Sequence, residues 1–170
     1  MKSLLTRKIA ISAMLTALAL IAFIIESLLP PLIIPGAKLG LSNFFILLSL
    51  VLLGYKYGFF VLIIKIVLGS LFSGNISTMM YSLPAGLASF IIEAILLNYA
   101  SKFTIVSISI FGAIVNILVQ NMVFCLVTGA WAYLIYSPYL ALCGTLSGLI
   151  IGLILLLTVK KLPLSKYFTS

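Results

Sequence analysis

The chain has 170 residues, 64% of them hydrophobic and only 7% charged, and its mean hydropathy is +1.39. No water-soluble domain of this size can hide so much apolar surface, so soluble enzymes and carriers are excluded and a polytopic membrane protein is indicated. The formal charge of +8 would point to nucleic acid in a soluble chain, but here the basic residues lie mainly in short connections between apolar runs, a mark of membrane topology.

The apolar runs predict six helices in one bundle, with no domain boundary or hydrophilic linker. The first covers about 9–29, after Lys2, Arg7 and Lys8. It is too long for a usual signal-peptide core and reads as an uncleaved membrane helix. Ala13 and Ala17 lie four apart on one face of it. Small residues at that spacing let another helix approach closely, either within the bundle or from a separate membrane subunit.

Pro30 and Pro31 stop the first helix, since proline removes a backbone donor and clashes with the preceding turn. The segment from Pro35 to Asn43 then carries two glycines, the cation Lys38 and the amide of Asn43. A loop that bends, presents a cation and leads into a polar membrane position can close over a ligand. It can equally be a surface loop with a snorkelling lysine.

The second helix covers about 41–53 and the third about 57–72. Both fall at or below the roughly 17–20 residues that a span needs, so a re-entrant hairpin over 41–72 is the alternative topology. Tyr55, Lys56 and Tyr57 between them read as an interfacial turn. The fourth, fifth and sixth helices cover about 82–99, 104–128 and 139–159. Gly144, Gly148 and Gly152 on the sixth predict close packing inside the bundle. Cys125 and Cys143 sit in apolar runs and read as small hydrophobes.

With the N-terminus inside, Lys2, Arg7, Lys8, Lys56, Lys102, Lys160, Lys161 and Lys166 face the cytoplasm, and only Lys38 faces outward. The positive-inside rule therefore predicts an all-α bundle of six transmembrane helices in the cell membrane, both termini cytoplasmic. Anionic lipid headgroups are the expected neighbours of the basic rim. Trp131, Tyr133, Tyr136 and Tyr139 then mark the outer interface.

Polar groups in hydrocarbon are costly, so each needs a reason. Lys65 and Glu93 are expected at similar depth on adjacent antiparallel helices, as a structural ion pair; a proton or ion relay is the competing reading. Asn116, Gln120 and Asn121 crowd one segment, with Gly112, Asn116 and Gln120 on a shared face. On the assumed topology they converge on the outer half with Glu26, Lys38, Asn43, Asn75 and Tyr81. The candidate ligand site is therefore Lys38, Asn43, Tyr81, Asn116, Gln120 and Asn121; ordinary interhelical hydrogen bonding is the alternative.

The chain has no Asp and no His and only two Glu. A zinc site, a paired-aspartate magnesium site and most general acid–base chemistry are thus unexpected, as is any metal or cofactor. No phosphate-binding glycine loop followed by Lys-Ser/Thr is present either. The expectation is a membrane binding or transport component, not an enzyme, that draws its energy from elsewhere.

Arg7-Lys8-Ile9-Ala10 through Ala13-Met14-Leu15-Thr16-Ala17-Leu18 resembles the start of the substrate-binding S-components of energy-coupling factor transporters. The stretches 35–43 and 65–74 more specifically resemble the Gx transporter family, often labelled heptaprenyl diphosphate synthase component I. That resemblance implies six helices, capture of a small molecule, and docking through the first helix onto a coupling subunit with paired ATPases. Lys65 stands where many relatives are expected to carry arginine, which keeps the charge and loses bidentate geometry. The synthase label implies prenyl-chain elongation, which uses aspartate-rich motifs that this chain lacks. It would fit an accessory membrane subunit in polyprenyl diphosphate or quinone synthesis.

Overall fold

The computed structural model describes residues 2–28, 40–74, 76–99 and 102–161. Its helices are α1 (Lys2–Leu28), α2 (Leu41–Leu53), α3 (Tyr55–Phe72), α4 (Ser77–Asn98), α5 (Ile105–Thr128) and α6 (Ser137–Lys161), with a 3-10 helix over Trp131–Tyr136. Five are long and apolar enough to cross a membrane; α2 is not.

Contacts at the helix ends set the directions. The end of α1 meets the start of α2 through Glu26 and Leu41. The start of α3 meets the end of α4 through a Tyr55–Asn98 hydrogen bond. The end of α5 meets the start of α6 through Asn121 and Ser137. Odd-numbered helices therefore run one way and even-numbered helices return. Apart from Lys65, the basic residues of the described segments, among them Arg7, Lys8, Lys56, Lys102, Lys160 and Lys161, gather at one end, called here the basic end.

The boundaries differ from expectation where tertiary contacts carry a helix past its apolar run. The expected turn at Tyr55–Tyr57 is the first turn of α3, and the break is the single residue Gly54 at φ 88°. Only glycine enters that region without a steric penalty, so one residue reverses the chain. α3 thereby reaches 18 residues, while α2 stays at 13. At 1.5 Å per residue α2 is about 20 Å long, against about 30 Å of hydrocarbon. α4 starts at Ser77, before the expected position 82, and runs through Pro84. Thr104 is not the first residue of α5 but its N-cap, with its Oγ1 accepting from Ser107 N at 3.2 Å.

The core is centred on α2, whose Ile46, Leu47, Leu48, Leu50 and Leu53 are buried against Leu15, Val61, Leu62, Ile66, Phe90 and Leu155. Glycines let the helices close around it. A Cβ at Gly69 would stand 2.6 Å from the Phe23 ring, and one at Gly86 2.9 Å from Ile66. Gly144, Gly148 and Gly152 face α5, and a Cβ at Gly148 would lie 2.7 Å from the Ile110 Cα. That contact is with backbone and cannot rotate away. Gly148→Ala should therefore force α5 and α6 apart and cost about 1–3 kcal/mol. Thermal unfolding in detergent checks this, with Leu142→Ala on the exposed face expected to stay within about 0.5 kcal/mol of the parent.

Candidate functional site

The site begins with a helix that lacks its own cap. α2 starts after Gly40, in the left-handed region at φ 82°, with no side-chain cap of its own. Its first amide groups lie inside the bundle, where no water replaces a missing acceptor. Glu26, only 5% exposed at the end of α1, supplies one. Its carboxylate accepts from Leu41 N at 2.7 Å, Ser42 N at 3.4 Å and Ser42 Oγ at 3.0 Å. A carboxylate at a helix N-terminus also meets the positive end of the helix dipole. Glu26 was readable as a membrane acid in the sequence, but its capping role was not. The available signal was a short helix opening on Gly40 and Leu41, without its own capping residue.

This cap fixes Asn43 within the first turn of α2. Counted along the helices from the basic end, Asn43 and Lys65 both lie at about 15 Å and Asn116 at about 16 Å. Lys65, 5% exposed, donates from Nζ to Asn43 Oδ1 at 3.2 Å and stands 5.3 Å from the centre of the Phe23 ring. Asn116 donates to Ser89 Oγ at 3.2 Å, and that hydroxyl donates to the Gly86 carbonyl.

Two adjoining clefts share Gly40, Asn43 and Asn116 in their lining. One is lined by Glu26, Ser42, Lys65, Ser82 and Gln120, with Phe23 and Ile66 as apolar wall. The other is lined by Glu93, Ser109, Cys143 and Ser147, with Leu47, Ile117 and Ile151 as apolar wall. Together they take in all six helices. Gly112 makes room for the Glu93 carboxyl that borders the second cleft: a methyl group there would collide with it. The shared face of Gly112, Asn116 and Gln120 thus turns toward the polar interior. Ser89, Ser109 and Ser147 join it without having been singled out in the sequence; Ser89 precedes Glu93 by one helical turn on α4, and that spacing was the available signal.

Not every expected residue comes here. Asn121 donates to the Tyr133 carbonyl at 3.3 Å and to Ser137 Oγ at 3.1 Å, tying α5 to the 3-10 helix and α6. Tyr81 packs its ring 5.8 Å from that of Phe124, which in turn meets Tyr133 at 5.4 Å. Neither lines the two clefts. Lys38 and Asn75 lie outside the described residues.

Lys65 and Glu93 also stand apart from the expected arrangement. Because α3 begins at Tyr55 and α4 ends at Asn98, Lys65 is about 15 Å and Glu93 about 8 Å along from the basic end. Lys65 Nζ bonds Asn43 Oδ1, and the Lys65 charge also acts on the Glu93 carboxyl. Their relation here is an attraction across the cleft.

Glu26→Ala would orphan two backbone amides and a hydroxyl, each worth about 1–3 kcal/mol when buried unsatisfied. The expected outcome is a fall in thermal stability together with faster hydrogen exchange at Leu41 and Ser42. Glu26→Gln keeps an acceptor oxygen and should lose less.

No curated protein and no solved structure matches the chain. A family described as heptaprenyl diphosphate synthase component I matches residues 15–157 of the 170. The match includes every residue of both clefts and reaches all six helices, but leaves out the first half of α1, residues 2–14 with Ala13 among them, and the last turn of α6. This multi-pass membrane chain belongs to the heptaprenyl diphosphate synthase component I family.

Proposed function

We propose that the protein is the substrate-binding membrane component of an uptake transporter of the energy-coupling factor type. The observation that carries this reading is the pair of adjoining clefts, lined together by residues of all six helices and holding polar groups inside an otherwise apolar bundle. Small-molecule sites combine such an apolar wall with a few converging polar groups. Asn43, Asn116 and Gln120 are the proposed contacts. Lys38, in the segment that joins α1 to Gly40, is the proposed lid cation for an anionic end of the captured molecule. Tyr81 and Asn121 hold the adjoining end of the bundle, and Lys65 with Glu93 balances charge across the cleft.

Two further features support the reading. Ala13 and Ala17 lie on an exposed stripe of α1 with Met14, Leu18 and Ile21, so their small size does not serve packing within the bundle. They suit a coupling subunit, itself driven by paired ATPases, approaching from the side. The chain also lacks the aspartates that prenyl-chain elongation needs, so we assign it no catalysis of its own. The proposed location is the cell membrane, with anionic headgroups around the basic end.

The family's description favours a second reading, a non-catalytic membrane subunit that assists polyprenyl diphosphate synthesis. Deleting the gene separates the two. Transport predicts normal quinone side chains and impaired uptake of a nutrient; the accessory role predicts shortened or missing side chains.

Co-expression with a coupling subunit and its ATPases should give a complex that purifies together. Ala13→Leu with Ala17→Leu should abolish it while leaving thermal stability unchanged, because both side chains are exposed. Native mass spectrometry of the detergent-purified protein should show a retained small molecule, and Asn116→Ala and Lys38→Ala should each weaken its capture by about 1–3 kcal/mol. Full affinity in both variants would remove the cleft from the mechanism; full affinity in Lys38→Ala alone would remove only the charged lid.

A further inference from the structure

Of the two membrane acids, Glu93 has the less complete environment. It is 6% exposed, on a membrane-spanning helix, and its carboxyl lines the second cleft. Among the described residues no hydrogen bond to it is seen, although Asn116, Ser109 and Ser147 line the same space, and the charge that acts on it from within the chain is that of Lys65. Glu26, the other membrane acid, receives three donors. A carboxylate withdrawn from water costs several kcal/mol unless donors or a counter-charge replace the water. The fold has nevertheless kept space for Glu93 by placing glycine at 112, where any side chain would strike the carboxyl. An acid kept buried, given room and left without a donor is built to receive one from outside the chain.

We propose that Glu93 is the recognition carboxylate of the cleft and that the ligand presents to it a protonated nitrogen with N–H donors: an amine, an amidine or a protonated ring nitrogen. This rests on the cleft being a ligand site and adds the chemical class of the ligand. The carboxylate supplies charge-assisted acceptors, which are roughly twice as strong as neutral ones. The amides of Asn43 and Asn116, at the junction of the two clefts, are left for uncharged polar groups further along the ligand. The aliphatic wall of Leu47, Ile117 and Ile151 limits that end to a compact group and excludes water that would weaken the pairing.

The test is a thermal-shift titration of the detergent-purified protein with small probes of graded charge: methylguanidinium, imidazolium and ethylammonium as N–H cations, acetamide as a neutral amide, acetate as an anion. The proposal expects saturable stabilisation by at least one cation, little by acetamide and none by acetate. Glu93→Gln should weaken the cation's apparent affinity about ten- to a hundredfold. Gly112→Ala, which keeps the acid but displaces it, should weaken it as well, while Thr158→Ala, at the far end of α6, should not. If Glu93 merely carries a proton, glutamine reproduces its hydrogen bonding; a cation shift that survives Glu93→Gln overturns the proposal. So does stabilisation by acetate alone, or by no probe in a protein whose unfolding is cooperative. These outcomes do not touch the transport reading: a complex with the coupling subunit that forms despite them leaves transport standing with a different ligand class, and Glu93-dependent binding without such a complex leaves a cation site without that partner.

Discussion

The carboxylate of Glu26 is the constraint on which the rest of this bundle depends. α2 is too short to reach both faces of a bilayer, so one end of it must finish inside the protein. That end is its N-terminus, where amide donors have no intrahelical partner. In water such an end is tolerable, and in hydrocarbon it is not. By accepting from Leu41, Ser42 N and Ser42 Oγ, Glu26 satisfies the end and neutralises part of its own burial cost with the helix dipole. The recessed start of α2 then leaves a space below the other helix ends, and the polar clefts occupy it.

Everything polar in that space is arranged around the first turns of α2. Asn43 bridges the two clefts, accepting a hydrogen bond from Lys65 on one side and facing the Glu93 cleft on the other. Asn116 reaches across to Ser89 from a similar depth. These groups are costly to bury one by one, and cheaper together because each lowers the desolvation cost of the next. Ser49 is the contrast: fully buried in the middle of α2, its hydroxyl finds no partner. Polar satisfaction in this protein is concentrated where the helix ends are, and the aliphatic core of α2 gains nothing from it.

The two kinds of small residue serve opposite purposes. On α6, Gly144, Gly148 and Gly152 bring backbone against the backbone of α5 in a close seam. Van der Waals contact drives such packing, because lipid offers no hydrophobic gain for bringing helices together. On α1, Ala13 and Ala17 face outward and no neighbour uses them. Spacing by four is the same in both, and only position in the bundle separates an internal seam from an open face.

The membrane class, the six helices and the clustering of basic residues at alternate connections were legible in the sequence, because hydropathy and charge act locally and need no partner. So was the special status of Asn43, Lys65, Glu93, Asn116 and Gln120, since an ionisable or amide side chain in a long apolar run is conspicuous wherever it ends up. Helix register relative to its neighbours was not legible. Two residues more at the start of α3 and one fewer at the end of α4 removed the depth match between Lys65 and Glu93, and no local signal marks such a shift. The sequence by itself determined which residues are expensive to bury. The tertiary structure alone decided which of them meet: Glu26 with the start of α2, Asn121 with the 3-10 helix, Lys65 with Asn43, and the Glu93 carboxyl with the bare backbone of Gly112. A hydrogen bond within a few ångströms depends on how helices pack at long range, and that packing is set by glycines and side-chain volumes from several segments at once.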